Sequence, residues 1–258
     1  MTEPLKALGP SEQQKYYLLA QLLGEGRYCS ACKAFSVDDF TGCKPYTIKQ
    51  PLTESGTRRI ESEISYLKKF LQDDNIIQYQ DQHSQPKRPF LVQEYVPSTL
   101  ADLIEERKIT FEVVIEYLQQ IPTILNILAE RSIAHCDIKC ANLGYDKGII
   151  KLMDFNLARV IKNNYLFMPA DNIPYYNAPE MREGNLVTRT SDVYSAGVVL
   201  EGLLENASGN STKTKPKRKV GLLLLQRLMV EEDYAKRPLG AKLEKLCWAA
   251  GRELEELL

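Results

Sequence analysis

Histidine is scarce in this chain, with two in 258 residues, and six cysteines are too few for a disulfide scaffold at that length. The thiols are therefore expected to be unbridged. A structural zinc site needs four soft ligands in paired clusters. His135, Cys136, Asp137 and Cys140 lie together, but the other close pair, Cys29 and Cys32, has no histidine near it, which argues against zinc. No apolar run approaches the length that crosses a bilayer, and the start, MTEPLKALGPSEQQKYY, lacks the basic-then-apolar pattern of a signal segment. A soluble protein of the cytoplasm with no membrane partner is expected. Neither charge is in excess either: 33 basic and 34 acidic residues give a net charge of −1, hence no overall attraction to nucleic acid or acidic membranes. The exception is local, at KTKPKRK (213–219), where five cations fall in seven residues after a Ser/Asn/Gly-rich stretch. It reads as a solvated loop, with nuclear import or docking of a polyanion as the alternative.

With 44% hydrophobic residues the chain can bury a sizeable core. From 16 to 96 it is strand-rich: YYLLAQLL, YCSACKAFSV, PYTIKQPL, IIQYQDQ and FLVQEYV are short β-branched, aromatic or leucine-rich runs broken by Gly, Pro and Asp. The exception is 57–71, where Ile60, Ile64, Leu67 and Leu71 recur at helical spacing. Beyond 97 the pattern is helical, near 99–107, 111–131, 191–204 and 220–230. The pattern predicts an α+β chain in which a small β-rich part with one helix (16–96) precedes a larger α-helical part (97–258), with the seam near Val96–Pro97. No internal repeat is present.

Gly24 and Gly26 fall in a turn between two strand-like runs, where backbone N–H groups can approach a polyphosphate. The same pattern also suits a plain hairpin. A dinucleotide fingerprint is excluded because a strand, not a helix, follows Gly26. Lys49 lies amid apolar neighbours in the next strand, and Glu63 on the following helix is suitably placed to meet it, with Glu61 as the alternative. Then comes HCDIKCAN (135–142), which fits His-x-Asp-x-Lys-x-x-Asn, and twelve residues after Asn142 stands Asp154 in MDFNLAR. APE (178–180), SDVYSAGVVL (191–200) and KRP (236–238) follow.

In their order and spacing these elements resemble a eukaryotic-type protein kinase domain of the serine/threonine kind, over roughly 16–247. The resemblance implies a single two-lobed kinase domain spanning 1–258 that uses ATP and magnesium and acts on a protein substrate. It implies Asp137 as the base that orients the acceptor hydroxyl, and Lys139 as the cation steadying the phosphoryl group. Asn142 and Asp154 become the magnesium ligands, and Lys49, paired with Glu63, contacts the α- and β-phosphates. Gly24, Glu25 and Gly26 form the phosphate loop, the backbone at Glu94–Val96 holds adenine, and Gln93 lies at the back of its pocket. Glu180 with Arg237, and Asp192 beneath the catalytic loop, are architecture by the same resemblance. A pseudokinase or a small-molecule kinase of related fold are the alternatives.

The chain departs from the family pattern at Cys29 and Ala31 in the phosphate loop, at Asn156 for the glycine of Asp-Phe-Gly, at Ile173 for a threonine and at Cys136 for an arginine. NASGNSTKTKPKRKV (206–220) stands where a further helix is usual. Cys29 is expected at a solvent-accessible loop tip. Asn156 tolerates a left-handed backbone. With Cys136 before Asp137 and no Ser or Thr in 155–177, activation by phosphorylation of this segment is not expected; packing of YLFMP (165–169) is expected to order it instead.

Overall fold

The computed structural model of the chain describes residues 7–8, 10–38, 44–70, 73–83, 89–162, 165–168, 173–207 and 220–255. Contacts divide the chain into two units, Met1–Val96 and Pro97–Leu258. The basic run at 213–219 lies outside the described residues.

In the first unit, β1 (Ala7–Leu8), β2 (Tyr17–Glu25), β3 (Cys29–Ser36) and β4 (Pro45–Pro51) precede α1 (Glu54–Leu67), and β5 (Tyr79–His83) and β6 (Phe90–Glu94) follow it. The six strands make one antiparallel sheet in the order β1-β2-β3-β4-β6-β5. Period-two alternation brings Tyr17, Ala34, Ile48, Phe90 and Val92 together in a buried cluster, with Ile48 paired to Val92 across β4 and β6. Tyr17 meets the rings of Tyr46 and Phe90 edge-on, and its hydroxyl donates to Asp81 at 3.2 Å, so the one polar atom of this buried ring is satisfied. Helix α1 starts where Thr53 accepts a hydrogen bond from the Gly56 N–H, and it buries Ile60, Ile64 and Leu67 along one stripe.

The second unit is mainly helical. β7 (Ser98–Thr99) leads into α2 (Leu100–Glu105), whose Thr99–Asp102 capping box closes its first turn. α3 (Phe111–Glu130) follows, with Val114, Tyr117, Leu118, Ile121 and Ile124 completely buried. The short strands β8 (Ile133–Ala134), β9 (Leu143–Asp146), β10 (Ile149–Leu152), β11 (Arg159–Val160) and β12 (Tyr165–Phe167) come next, then α4 (Pro179–Gly184), β13 (Leu186–Thr188), α5 (Ser191–Asn206), α6 (Val220–Met229) and α7 (Ala241–Glu255). They pair as β10-β9-β7, β11-β8 and β12-β13. Lys147 and Gly148, both at positive φ, make the tight two-residue turn from β9 to β10. Helix α7 was not anticipated, although Leu243, Cys247, Ala250 and Leu254 are spaced to bury one face. A sheet with one helix followed by a helical unit is the α+β division expected. No helix among the described residues is long and apolar enough to cross a membrane.

Candidate active site

In the first unit, Lys49 sits in β4 opposite Ala31 of β3 and Leu91 of β6. Its Nζ lies 2.8 Å from Glu63 Oε1, with the two side chains 14% and 2% exposed. Glu63 faces inward because it falls on the same stripe of α1 as Ile60 and Leu67, whereas Glu61 is exposed. The ion pair therefore selects Glu63 over Glu61.

Gly24 and Glu25 close β2, opposite Ala31 and Ser30. Gly26 N–H donates to Cys29 O at 2.9 Å, which leaves Arg27 and Tyr28 as the hairpin tip. Neither Gly24 nor Gly26 has a positive φ, and a Cβ at Gly24 would meet no atom within 4 Å. Nothing in the fold itself requires glycine there. Gly56 is the opposite case: a Cβ would overlap the Tyr28 carbonyl oxygen and come within 3.2 Å of Pro51 Cβ, so the hairpin tip can rest on the first turn of α1 only if residue 56 is glycine. Leu52 N–H donates to the same Tyr28 carbonyl at 2.8 Å, and the Arg59 guanidinium lies 4.2 Å from the Tyr28 ring centroid.

This seating changes the expectation for Cys29. Rather than lying at an open tip, the residue begins β3 half-buried, with Sγ 3.8 Å from Gly56 O. Gln93 is buried in β6 with Oε1 unpartnered. Glu94 ends β6, its side chain accepting from Gln78 N–H at 2.7 Å, and Val96 lies beyond it outside any regular element.

In the second unit, Asp137, Lys139 and Asn142 follow β8. Lys139 Nζ and Asn142 Nδ2 donate to Asp137 Oδ2 at 2.9 and 2.8 Å, and Asn142 Nδ2 also donates to the Asp137 carbonyl at 2.9 Å. Both amide protons of Asn142 are thus spent on Asp137, and its Oδ1 remains an acceptor. Burial alone would lower the Lys139 pKa, but its bonds to Asp137 and Tyr176 outweigh burial and raise it, so the side chain stays an ammonium.

Asp154 is placed by the peptide before it. Met153 N–H donates to Asn142 O at 2.9 Å, and Met153 O accepts from His135 Nε2 at 2.9 Å, which assigns the imidazole proton to Nε2. Burial holds His135 neutral by lowering its pKa. Asp154 itself takes the left-handed conformation, φ 66° and ψ 66°, while Asn156 lies in a short 3-10 turn over Phe155–Leu157. The left-handed residue is therefore Asp154, not Asn156. Asn156 acts through its side chain, whose Nδ2 donates to Asp154 Oδ1 at 2.6 Å. Cys136 is also left-handed, at φ 66°. Each such non-glycine position costs about 1–3 kcal/mol and persists only where its surroundings enforce it. At Cys136 the enforcement is visible: Asp192, buried at the start of α5, accepts from the N–H groups of His135 at 2.7 Å and Cys136 at 3.0 Å.

The Cys136 side chain packs in a cluster with Ala134, Ile161, Ala178, Met181 and Val187. An apolar, buried thiol, its pKa pushed up by burial, offers no cation to a phosphate. Of YLFMP, Leu166 and Met168 pack on this cluster, whereas Tyr165 and Phe167 point outward as strand alternation demands; Pro169 lies outside the described residues. Below the loop, Arg237 grips Glu180 bidentately at 2.7 and 2.8 Å.

One contact went unread in the sequence. The Tyr176 hydroxyl donates to Asp137 Oδ1 at 2.7 Å and accepts from Lys139 Nζ at 3.3 Å. No spacing rule signals it, because a tyrosine beside a tyrosine before APE carries no periodic pattern.

A family model described as the protein kinase domain matches residues 17–238. Mitogen-activated protein kinase kinase kinase 3 of Arabidopsis thaliana is 33% identical over 196 residues, 72% of this chain and 34% of that protein. The SNF1-like protein kinase ssp2 of Schizosaccharomyces pombe is 30% identical over 194 residues, 73% of this chain and 33% of its own. Serine/threonine-protein kinase Nek9 of Xenopus laevis is 29% identical over 210 residues, 78% of this chain and 22% of its own. The chain thus spans about a third or less of the length of these relatives.

Proposed function

The chain belongs to the protein kinase domain family, and on that premise we propose that it transfers the γ-phosphate of ATP, with magnesium, to serine or threonine hydroxyls of a protein substrate. The observation that carries this reading is the Asp137 carboxylate, held by Lys139 and Asn142 at 2.9 and 2.8 Å beside the fixed Asp154 peptide. Lys139 two residues after Asp137, and the serine/threonine designation of a relative, support that preference over tyrosine.

The residues suit the group they would hold. Asn142 Oδ1 and the Asp154 carboxylate are hard oxygen donors of the kind magnesium takes beside phosphates. Gly24 leaves open space where a side chain would stand, and Gln93 Oε1 is a buried oxygen lacking a donor from the protein. When bound, magnesium-ATP supplies the phosphoryl group and the cation that offsets its charge. Asp137 accepts a hydrogen bond from the incoming hydroxyl and orients its oxygen, and Lys139 offers positive charge beside that oxygen. Lys49, steadied by Glu63, presents an ammonium to the α- and β-phosphates, the lack of a side chain at Gly24 and Gly26 beside Glu25 lets the hairpin backbone come close to them, and the backbone from Glu94 to Val96 holds adenine.

A radiolabelled ATP assay on a generic basic protein, run beside thermal unfolding with and without magnesium-ATP, tests the proposal. Label transfer with a rise in melting temperature is expected. A rise without transfer would replace the enzyme by a nucleotide-binding module, and neither would contradict both.

A further inference from the structure

Among the described residues three side chains donate to the Asp137 carboxylate, and the catalytic-loop motif accounts for two of them. Lys139 and Asn142 share Oδ2, while Oδ1 receives the Tyr176 hydroxyl at 2.7 Å. The phenol oxygen also accepts from Lys139 Nζ at 3.3 Å, so Asp137, Lys139 and Tyr176 close a ring of charge-assisted bonds. We propose that Tyr176 is a positioning residue for phosphoryl transfer, whose hydroxyl fixes both the Asp137 carboxylate and the Lys139 ammonium where they meet the acceptor hydroxyl. The proposal rests on the kinase reading above.

The backbone around Tyr176 sets its aim. Asn177 N–H donates to Pro174 O at 3.0 Å, closing a turn that contains Tyr176, and Asn177 Nδ2 donates to Cys136 O at 3.3 Å, tying that turn to the residue before Asp137. Ala178 is completely buried in the cluster around Cys136. Just before this turn Ile173 packs on the same cluster as a hydrocarbon and has no hydroxyl to offer the loop. Tyr176 is therefore the hydroxyl that this segment brings to Asp137.

Carboxylate capacity distinguishes a positioning group from a plug. An ionised carboxylate has about four acceptor sites, two on each oxygen. Lys139 and Asn142 fill those of Oδ2, and Tyr176 takes one of the two on Oδ1. Among the described residues nothing takes the last site, which is left for an incoming hydroxyl on the oxygen that Tyr176 steadies. Burial and the bond to Asp137 push the phenol pKa up to about 12, so the group remains a donor across neutral pH.

Tyr176→Phe keeps the ring and its edge-on contact with Tyr175, and removes the hydroxyl alone. The expected result is a kcat lower by roughly 10- to 100-fold, as for a misplaced catalytic group, with KM for protein substrate and for ATP unchanged and the melting temperature within about 3 °C. An unchanged or raised kcat, or a fall in KM for the protein substrate, would overturn the proposal; the latter is the signature of a plug. The contact has a readout independent of turnover. In protein carrying ring-labelled tyrosine, the signal lost in Tyr176→Phe is expected to titrate above the ordinary tyrosine value because of burial and Asp137, and to titrate lower in Asp137→Asn than in wild type. A wild-type protein that transfers no phosphate defeats the kinase reading, whereas a Tyr176 signal whose titration is unmoved by Asp137→Asn defeats the contact itself.

Discussion

Removing the Arg237 guanidinium should cost this fold more than any ordinary surface change. Arg237 and Glu180 are 0% and 8% exposed, and the guanidinium donates to both carboxylate oxygens at 2.7 and 2.8 Å. It also satisfies three carbonyls: Glu231 at 2.7 Å, and Thr190 and Glu232 at 3.2 Å. Arg237→Ala leaves a buried carboxylate with Ser191 and Thr188 as its remaining donors, at 2.7 and 3.3 Å. Breaking a buried pair by deleting one partner costs about 3–5 kcal/mol. At roughly 2–4 °C per kcal/mol for a chain of this size, thermal unfolding followed by circular dichroism should shift down by about 6–20 °C. The pH dependence is a second signature. Burial alone would raise the Glu180 pKa, but in the wild type the bonds from Arg237 and Ser191 outweigh it and hold the carboxyl below its ordinary 4.5. A folded value below the unfolded one contributes stability at neutral pH that is lost as pH falls through the folded value. Without Arg237 burial dominates, the sign reverses, and protonation relieves the variant. The deficit should therefore be largest near pH 7 and shrink toward pH 5. A loss below about 1 kcal/mol at neutral pH, or a deficit that grows on acidification, would refute the buried-pair argument.

Three other substitutions, and Glu61→Gln as a control, separate the parts of the site. Gly56→Ala pits a helix preference of about 1 kcal/mol for alanine against overlap with the Tyr28 carbonyl, and the overlap should win; a stabilised variant in chemical unfolding means the hairpin tip does not rest on α1. Glu63→Gln should weaken magnesium-ATP binding about tenfold by calorimetry, since a charged hydrogen bond is worth about 1.5–3 kcal/mol, while Glu61→Gln on the exposed face leaves it unchanged; equal effects would sink the assignment of Glu63. Asn156→Ala removes the 2.6 Å bond that orients Asp154 and should raise the magnesium concentration for half-maximal activity by roughly 10-fold, whereas an unshifted magnesium curve means Asn156 does not act through Asp154.

Periodicity located elements better than it located their ends. The helix expected at 111–131 is α3, Phe111–Glu130, and that expected at 191–204 is α5, Ser191–Asn206, because long apolar stripes fix both. The one expected at 57–71 runs instead from Glu54 to Leu67, since the Thr53 side chain caps the chain earlier than the first apolar residue reveals. The strand expected from Ile76 begins at Tyr79: Ile76 and Ile77 are buried, but they follow the Asp73–Ile76 turn in irregular chain, held where the Gln78 amide donates to Asp73 O and Ile76 O at 2.8 Å. In the site, strand and helix patterning read Lys49 on a strand and Glu63 on the helix after it, where the structure has them, while the roles of Asp137, Asn142 and Asp154 came from the family motif. The left-handed backbone at Asp154, the thiol of Cys29 turned toward Gly56 and the hydroxyl of Tyr176 on Asp137 each depend on a partner distant in sequence, and no local pattern encodes such a partner.

The most direct test of phosphoryl transfer is a comparison of wild type with Asp137→Asn on one protein substrate, measuring label incorporated from γ-labelled ATP together with magnesium-ATP affinity. Loss of the carboxylate that orients the acceptor should cut incorporation by at least about 100-fold while affinity changes less than about threefold, with the wild-type label on serine or threonine. Incorporation that survives in Asp137→Asn at the wild-type rate would contradict the assignment of Asp137 as the group that receives the acceptor hydroxyl.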